Sequence, residues 1–320
     1  MPQPTRSQVH TDAILTNISV AYLQDASHFI AHQVFPQVPV EKQSDLYYTY
    51  PKGTWFKDEA ERRADGTESA GTGYGVSTDS YACQVYALHK DIGPQAKKNA
   101  DSPIDLERDA TNLLTQRLLL RQEIQWVADY FATSIWDTDV VGTTDFTKWD
   151  NFASSDPIED IELGKETVLS TTGFMPNTLI LGYQVFRKLK NHPDIVGRIQ
   201  FTSSEVVTEA LLAKYFGVDR VVVARAVKNT ANEGATDVFA FTHGKHALLL
   251  YVAPTPSLLA PSAGYTFVWN GISDGFGASL SFTREEVPLT RGATRVEGQL
   301  AWDSKVVATD LGYFFSAAVS

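Results

Sequence analysis

Residues 102–131 read SPIDLERDATNLLTQRLLLRQEIQWVADYF. Ser102 is suited to cap a helix, with Pro103 at its first position and Asp105 three residues on, an acidic first turn that complements the helix dipole. Leu106, Ala110, Leu113, Leu120, Ile124, Val127 and Phe131 then recur at spacings of three, four or seven, which places them along one helical face. Neither glycine nor a second proline intervenes before Gly142. The spacing therefore predicts a helix over about 102–134, roughly 45 Å long at 1.5 Å per residue. A helix of that length braces something large.

On its N-terminal side the texture changes twice. Residues 1–43 mix polar and short apolar stretches and end in VFPQVPV, where Pro36 and Pro39 favour an extended course, so they read as an arm. From 44 to 90, LYYTY and SYACQVYAL read as two strands flanking a long tip. The tip opens with KDEAERRAD, seven charges in nine positions, and continues as GTESAGTGYG. Connections beyond about 12–15 residues are uncommon in compact domains unless they serve a function. Four acidic residues (Asp58, Glu59, Glu61, Asp65) face three basic ones (Lys57, Arg62, Arg63) there, a balance that suits docking on a complementary surface more than gripping phosphate. A merely solvated charged loop is the competing reading. Gly66 and Gly71 have the outer spacing of a phosphate loop, but Thr72 and Gly73 stand where Lys and Ser/Thr are needed. Gly66, Gly71, Gly73 and Gly75 are better read as freeing the backbone to turn.

Beyond the long helix the pattern is mixed. Asp156-Pro157 opens a helix that should stop at Gly173, NTLILG reads as a buried strand, and YQVFRKLKNH reads as a short helix ended by Pro193. Thr202 to Glu205 forms a capping box ahead of VVTEALLAKYF, which ends at Gly217. VDRVVVARAV, DVFAFTH and ALLLYVA read as strands, as do TRVEGQLAW and SKVVATD later on. Strands cluster instead of alternating with helices, so the fold class is α+β.

A net charge of −11 argues against a general grip on nucleic acid, and a single cysteine, Cys83, excludes an intrachain disulfide. The first residues lack the apolar core of a secretion signal, and no run of eighteen apolar residues occurs. Candidate chemistry is sparse. Gly271-Ile272-Ser273-Asp274-Gly275 fits a nucleophile elbow, but all seven histidines precede Ser273 and the following GASLSFT alternates like a strand. His28 and His32 have the spacing of a helical zinc pair with Phe29 where a metalloprotease carries glutamate, and His243 and His246 flank Lys245. Asp137 and Asp139 begin like a calcium loop that Val141 and Lys148 break. Cys83 sits in an alternating strand without a basic neighbour, as an inert thiol should. No catalytic residue, metal or cofactor is predicted.

In this order, an arm, a long hairpin with a charged glycine-rich tip, a capped long helix, a compact α/β region and a late group of strands resemble the major capsid proteins of tailed bacteriophages, of the Hong Kong 97-type fold. TTGFMPNTLILGYQVFRKLKNHPDIVGRI is similar in texture to that family's axial domain, and REEVPLTRGATRVEGQLAWDSKVVATDLGYFFSAAV to its peripheral strand and return to the axial domain. The resemblance implies an arm (1–43), an extended loop (44–90), a peripheral domain (91–154 and 259–308) and an axial domain (155–258 and 309–320). It also implies a non-enzymatic subunit that assembles with itself into pentamers and hexamers of an icosahedral shell around double-stranded DNA. A portal, a separate scaffolding protein and a decoration protein are the implied partners. No membrane is involved, and the virion is the implied location after assembly in the host cytoplasm. An encapsulin-type compartment shell shares this fold and is the alternative; a serine hydrolase using Ser273 is another.

Overall fold

A computed structural model of the chain describes residues 24–100, 104–200, 207–256, 261–272, 280–287 and 292–320. In chain order its strands are β1 (Gln37–Val40), β2 (Ser44–Thr49), β3 (Ser77–Ala82), β4 (Gln84–Ile92), β5 (Thr138–Val141), β6 (Thr178–Gly182) and β7 (Arg220–Ala224). They continue with β8 (Val227–Asn229), β9 (Phe239–Phe241), β10 (Ala247–Leu250), β11 (Gly264–Trp269), β12 (Leu280–Val287), β13 (Ala293–Val306) and β14 (Gly312–Ser316). The helices are α1 (Ala31–Val34), α2 (Lys52–Trp55), α3 (Pro94–Asn99), α4 (Leu106–Tyr130), α5 (Pro157–Thr172), α6 (Tyr183–Lys190), α7 (Pro193–Gln200) and α8 (Glu209–Phe216).

The long helix exists, but it begins later and ends earlier than its sequence suggests. Asp105 is the cap itself, its carboxylate accepting the N–H groups of Glu107 and Arg108. Ser102 and Pro103 lie outside the described residues. At the other end Phe131 leaves the helix to bury its ring, and Ser134, at φ +68°, turns the chain. The buried face also differs: Ala110, Leu114, Leu118, Gln122, Glu123 and Trp126 point inward. LLTQRLLL carries two adjacent apolar stripes, and only the sheet beneath selects one.

That sheet is organised by β13. Over Thr294–Trp302 it pairs antiparallel with β4, while its other edge takes β12 over Ala293–Leu300 and then β11 over Trp302–Val306. β1 adds to β11 in parallel. The sequence divides this stretch into two strands; it is one of 14 residues, because Asp303, Ser304 and Lys305 are held extended by β11. The first turns of α4 bury Ala110 and Leu114 against Ile92 and Val296, and Leu118 follows against Leu300 and Trp302. Conversely, SYACQVYAL reads as one strand but changes partners at Cys83. β3 pairs with β2, β4 with β13, and at the switch Ala82 N–H donates to Asp303 while Cys83 N–H donates to Gln43 O.

A second sheet runs β5-β14-β10-β6-β7 and carries the larger core. Thr178–Gly182 of NTLILG is wholly buried there, as its apolar Leu-Ile-Leu run demands. α5 is capped by Asp156 and stops at Gly173, φ +75°. α8 starts from Thr208 and stops at Gly217, φ +59°, where the buried Lys165 donates to Phe216 O at 2.8 Å. The capping box at 202–205 lies outside the described residues. Pro193 does not merely stop α6: it opens α7, since a fixed φ suits a first helical turn. Thr138–Val141, within the stretch that the resemblance assigns to the peripheral domain, pairs in parallel with β14 of this second sheet.

Residues 29–35 are built into the body. Phe29, Ile30, Ala31, Val34 and Phe35 are all at most 3% exposed. Phe35 meets Trp126 edge-on at 5.5 Å and Tyr130 at 5.3 Å, so the segment ties α4 to β11. Replacing Phe35 by Ala should lower unfolding free energy by about 3–5 kcal/mol in urea titration. A loss below about 1 kcal/mol would mean the segment is only draped on the surface.

Candidate assembly surface

β2 and β3 form a two-stranded sheet that pairs with no other strand among the described residues, from Ser44↔Ala82 to Thr49↔Ser77. Two strands alone are marginal in water, so its stability comes from its root. There Tyr81 stacks on Phe267 at 4.5 Å and Tyr47 lies 5.4 Å from the same ring, with Cys83 beneath. The thiol donates to Phe267 O at 3.5 Å, and burial pushes it up to about 11, which makes Cys83 the packed residue its sequence suggests.

Beyond Thr49 the connection runs 50–76, with α2 as its only helix. Lys57, Asp58, Glu59, Glu61, Arg62, Arg63 and Asp65 are all exposed, and their contacts are local. Lys57 Nζ lies 3.7 Å from Glu59, Thr72 Oγ1 donates to Glu59 at 2.7 Å, and Arg63 Nε donates to Thr67 O. Of the four glycines, only Gly66 takes a left-handed conformation (φ +79°); a Cβ on Gly71, Gly73 or Gly75 would meet nothing. Those three are not required by backbone sterics in this conformation.

The sequence reading missed the aromatic residues of the same loop. Tyr50, Trp55 and Tyr74 form a triangle with ring centroids 5.8–6.3 Å apart, and Trp55 and Tyr74 are 57% and 66% exposed. Leu46, Tyr48, Phe56 and Val76 are exposed beside them. The signal was the aromatic density of LYYTY, TWF and GYG, which strand propensity and charge counting had absorbed. Near its base the loop touches the body twice: Lys52 Nζ pairs with Asp310, and the Phe56 ring lies against the Gly173 end of α5.

The chemical candidates come apart in three dimensions. His28 ends a 3-10 turn and His32 sits in α1, with extended Phe29 between, so no single helix presents them as a pair. Asp137 precedes β5 and Asp139 lies within it, accepting from Thr309 Oγ1 and Ser134 N–H respectively. Ser273 lies outside the described residues. Among the described residues no group of three or more His, Cys, Asp or Glu could hold a metal, and no helix is long and apolar enough to cross a membrane.

One arrangement that sequence did not suggest looks like a hydrolytic triad. Ser155 Oγ lies 3.0 Å from His192 Nε2, and His192 Nδ1 lies 3.5 Å from an Asp194 carboxylate oxygen. The proton positions are wrong for catalysis. Asp194 N–H donates to Nδ1, so the ring proton sits on Nε2 and points at Ser155, whose hydroxyl donates to Asn151 O at 2.8 Å. A general base needs the reverse. Ser155 and His192 are also buried, and burial lowers the His192 pKa. The group fastens the start of α7 to the 151–155 turn.

Comparison with known proteins follows the same lines. Over 269 residues, 80% of this chain and 82% of the relative, the sequence is 27% identical to the major capsid protein of Burkholderia phage BcepMu. Over 317 residues, 97% of both chains, it is 26% identical to the major capsid protein of Pseudomonas phage JBD67. The chain is a homologue of phage major capsid proteins. Its fold is the Hong Kong 97-type capsid fold. A phage-related protein from Bordetella bronchiseptica superposes with a TM-score of 0.69 at 22% identity, covering 91% of this chain and 92% of that one. The capsid of cyanophage P-SCSP1u gives 0.63 at 11%, covering 97% and 93%. The SrpI encapsulin of Synechococcus elongatus gives 0.57 at 14%, covering 95% and 93%. No family model matches the chain. In this capsid homologue Ser155→Ala should cost about 1–3 kcal/mol of stability, by leaving buried His192 Nε2–H without its acceptor. Ester hydrolysis should equal the buffer blank in both proteins; a signal lost in the variant would restore an enzymatic reading.

Proposed function

We propose that the chain is the major capsid subunit of a tailed phage, assembling as pentamers and hexamers of an icosahedral shell that encloses double-stranded DNA. The observation that carries this reading is similarity to two phage major capsid proteins, over 80% of this chain in one case and 97% in the other. Its role is structural, with no catalytic step. Shell assembly takes place in the host cytoplasm and the product is the virion. A portal, a separate scaffolding protein and a decoration protein complete the particle. DNA is enclosed rather than gripped, in keeping with a subunit charge of −11.

The hairpin 44–82 is the part that reaches a neighbouring copy. A shell repeats one heterologous contact around closed rings, so each subunit must present a projecting element and a surface that receives it. The charged row Lys57–Asp65 sets register on the neighbour, and Trp55 with Tyr74 supplies apolar anchoring, since large exposed aromatics are the commonest energetic centres of interfaces. Gly66, Gly71, Gly73 and Gly75 let the tip adjust to the different angles of pentamers and hexamers.

Negative-stain microscopy of the purified chain, alone and with its scaffolding partner, should show closed shells. Nucleic acid in particles from infected cells would favour the phage reading, whereas a co-purifying protein cargo without DNA would favour a compartment shell. A strictly monomeric protein under every condition would exclude both. A Trp55→Ser/Tyr74→Ser double variant, and separately deletion of residues 57–75, should keep the parent circular dichroism and melting transition. Each should raise the assembly threshold, by about 30-fold for about 2 kcal/mol lost per contact. Normal assembly of both would remove the loop from the interface, and a misfolded deletion variant would place the tip in the core.

A further inference from the structure

β8 and β9 form a second two-stranded sheet, which pairs with no other strand among the described residues. Its register, Val227↔Phe241 to Asn229↔Phe239, is framed by Thr242 N–H donating to Ala226 O at 3.0 Å and Thr230 N–H donating to Val238 O at 2.8 Å. Antiparallel pairs alternate, so Val227 and Asn229 turn both of their backbone groups away from β9, toward the outer edge of β8. At Val227 that edge is occupied. The Gln24 side chain takes both groups, Nε2 donating to Val227 O at 2.7 Å and Oε1 accepting Val227 N–H at 2.9 Å. A primary amide placed so does what the backbone of a third strand would do. Asn229, two residues on, has no such partner for its N–H and C=O among the described residues. Its own side chain is turned into the hairpin, where Oδ1 accepts the N–H groups of Ala231 and Val238 and Nδ2 donates to Asp237.

We propose that the outer edge of β8 is a docking site for this chain's own residues 18–23, which add to it as a third, antiparallel strand. Residues 1–23 lie outside the described residues, and the chain that precedes Gln24 begins at this edge. Two extended residues span about 7 Å, the distance along a strand from Val227 to Asn229. The sequence suits the place: in Asn17–Leu23, NISVAYL, the β-branched or aromatic residues Ile18, Val20 and Tyr22 alternate with Ser19, Ala21 and Leu23. Running back from Gln24, such a strand sets Tyr22 opposite Asn229. Residues directly opposite share a face, so Tyr22 joins Asn229, Phe239 and Phe241, while Ala21 and Leu23 join Thr230 and Lys228.

The hairpin needs such a cover. Two strands alone are marginal in water, and an uncovered edge invites pairing with other chains. On the aromatic face Phe241 leans on Tyr183 at 5.4 Å, but Phe239 beyond it is 68% exposed, and Val238 on the other face is 56% exposed. A second copy could offer a strand to the same edge. The chain's own segment has the advantage, because Gln24 already holds its end at Val227 and the second contact is intramolecular. This inference rests on the hydrogen bonding of one hairpin and stands apart from the capsid reading. Residues 1–17 then depart from the β8–β9 hairpin.

The test is amide hydrogen exchange at Asn229 in the dilute full chain and in a variant lacking residues 1–23. In the full chain this amide should exchange at least about tenfold more slowly than its intrinsic rate, and the truncation should abolish that protection. Tyr22→Pro, which takes one donor from the added strand, covers the case of a truncated chain that does not fold and should lose most of the protection. Exchange at the intrinsic rate in the full chain, or equal protection in all three proteins, would overturn the docking. Restored protection when unlabelled full chain is added to labelled truncated chain would give the edge to a second copy and overturn it too. The register has its own readout. On oxidation Ala21→Cys/Thr230→Cys, with both side chains on one face, should close an intrachain disulfide faster than Tyr22→Cys/Thr230→Cys, with side chains on opposite faces; the reverse order would refute it.

Discussion

The backbone hydrogen bonds of β13 are the constraint on which the rest of this subunit depends. A strand of 14 residues in the middle of a sheet must find partners on both edges, because unpaired buried N–H and C=O groups are expensive. β4 takes one edge, while β12 and β11 divide the other. Those partners come from distant parts of the chain, so one strand joins the root of the hairpin, the N-terminal segment and the platform under α4. The helix face follows from this: Leu114 and Leu118 are inward because Val296, Leu300 and Trp302 are beneath them.

The hairpin inherits its character from the same strand. Where β13 stops pairing with β4, at Trp302, the chain of SYACQVYAL leaves the sheet and continues as β3 toward solvent. What projects is two strands with an aromatic triangle and a charged row, anchored at Phe267 and touching the body again through Lys52 and Phe56. A fold that spends so many large aromatics on an exposed loop has not satisfied them within one copy. That is the physical argument for a neighbour, and it is independent of the similarity to capsid proteins.

Legibility in the sequence tracked how local the physics was. Helix stops at Gly173 and Gly217, the buried strand NTLILG and the Asp156-Pro157 start were all readable, because each depends on neighbouring residues only. The order of elements was readable too, and with it the resemblance to the capsid fold. The catalytic look-alikes behaved differently. Ser273, the serine with the spacing of a nucleophile elbow, lies outside the described residues, whereas Ser155, His192 and Asp194, 37 residues apart at the hydroxyl–imidazole contact, come together without any motif. Their tautomer, decided by the Asp194 amide, makes them a structural fastening.

By itself, then, the sequence determined what kinds of element this chain forms, in what order, and that a long polar, glycine-containing tip stands apart from the core. Periodicity, caps and composition are properties of short stretches, and they survive translation into local structure. Tertiary structure alone decided which of two apolar stripes α4 buries, where one strand becomes two at Cys83 and two become one in β13, and that Phe29–Phe35 is core. It also decided that the fully buried carboxylate of α4 faces a histidine 120 residues away. Each of these depends on a partner remote in sequence, and no window of neighbouring residues contains the energy of meeting it.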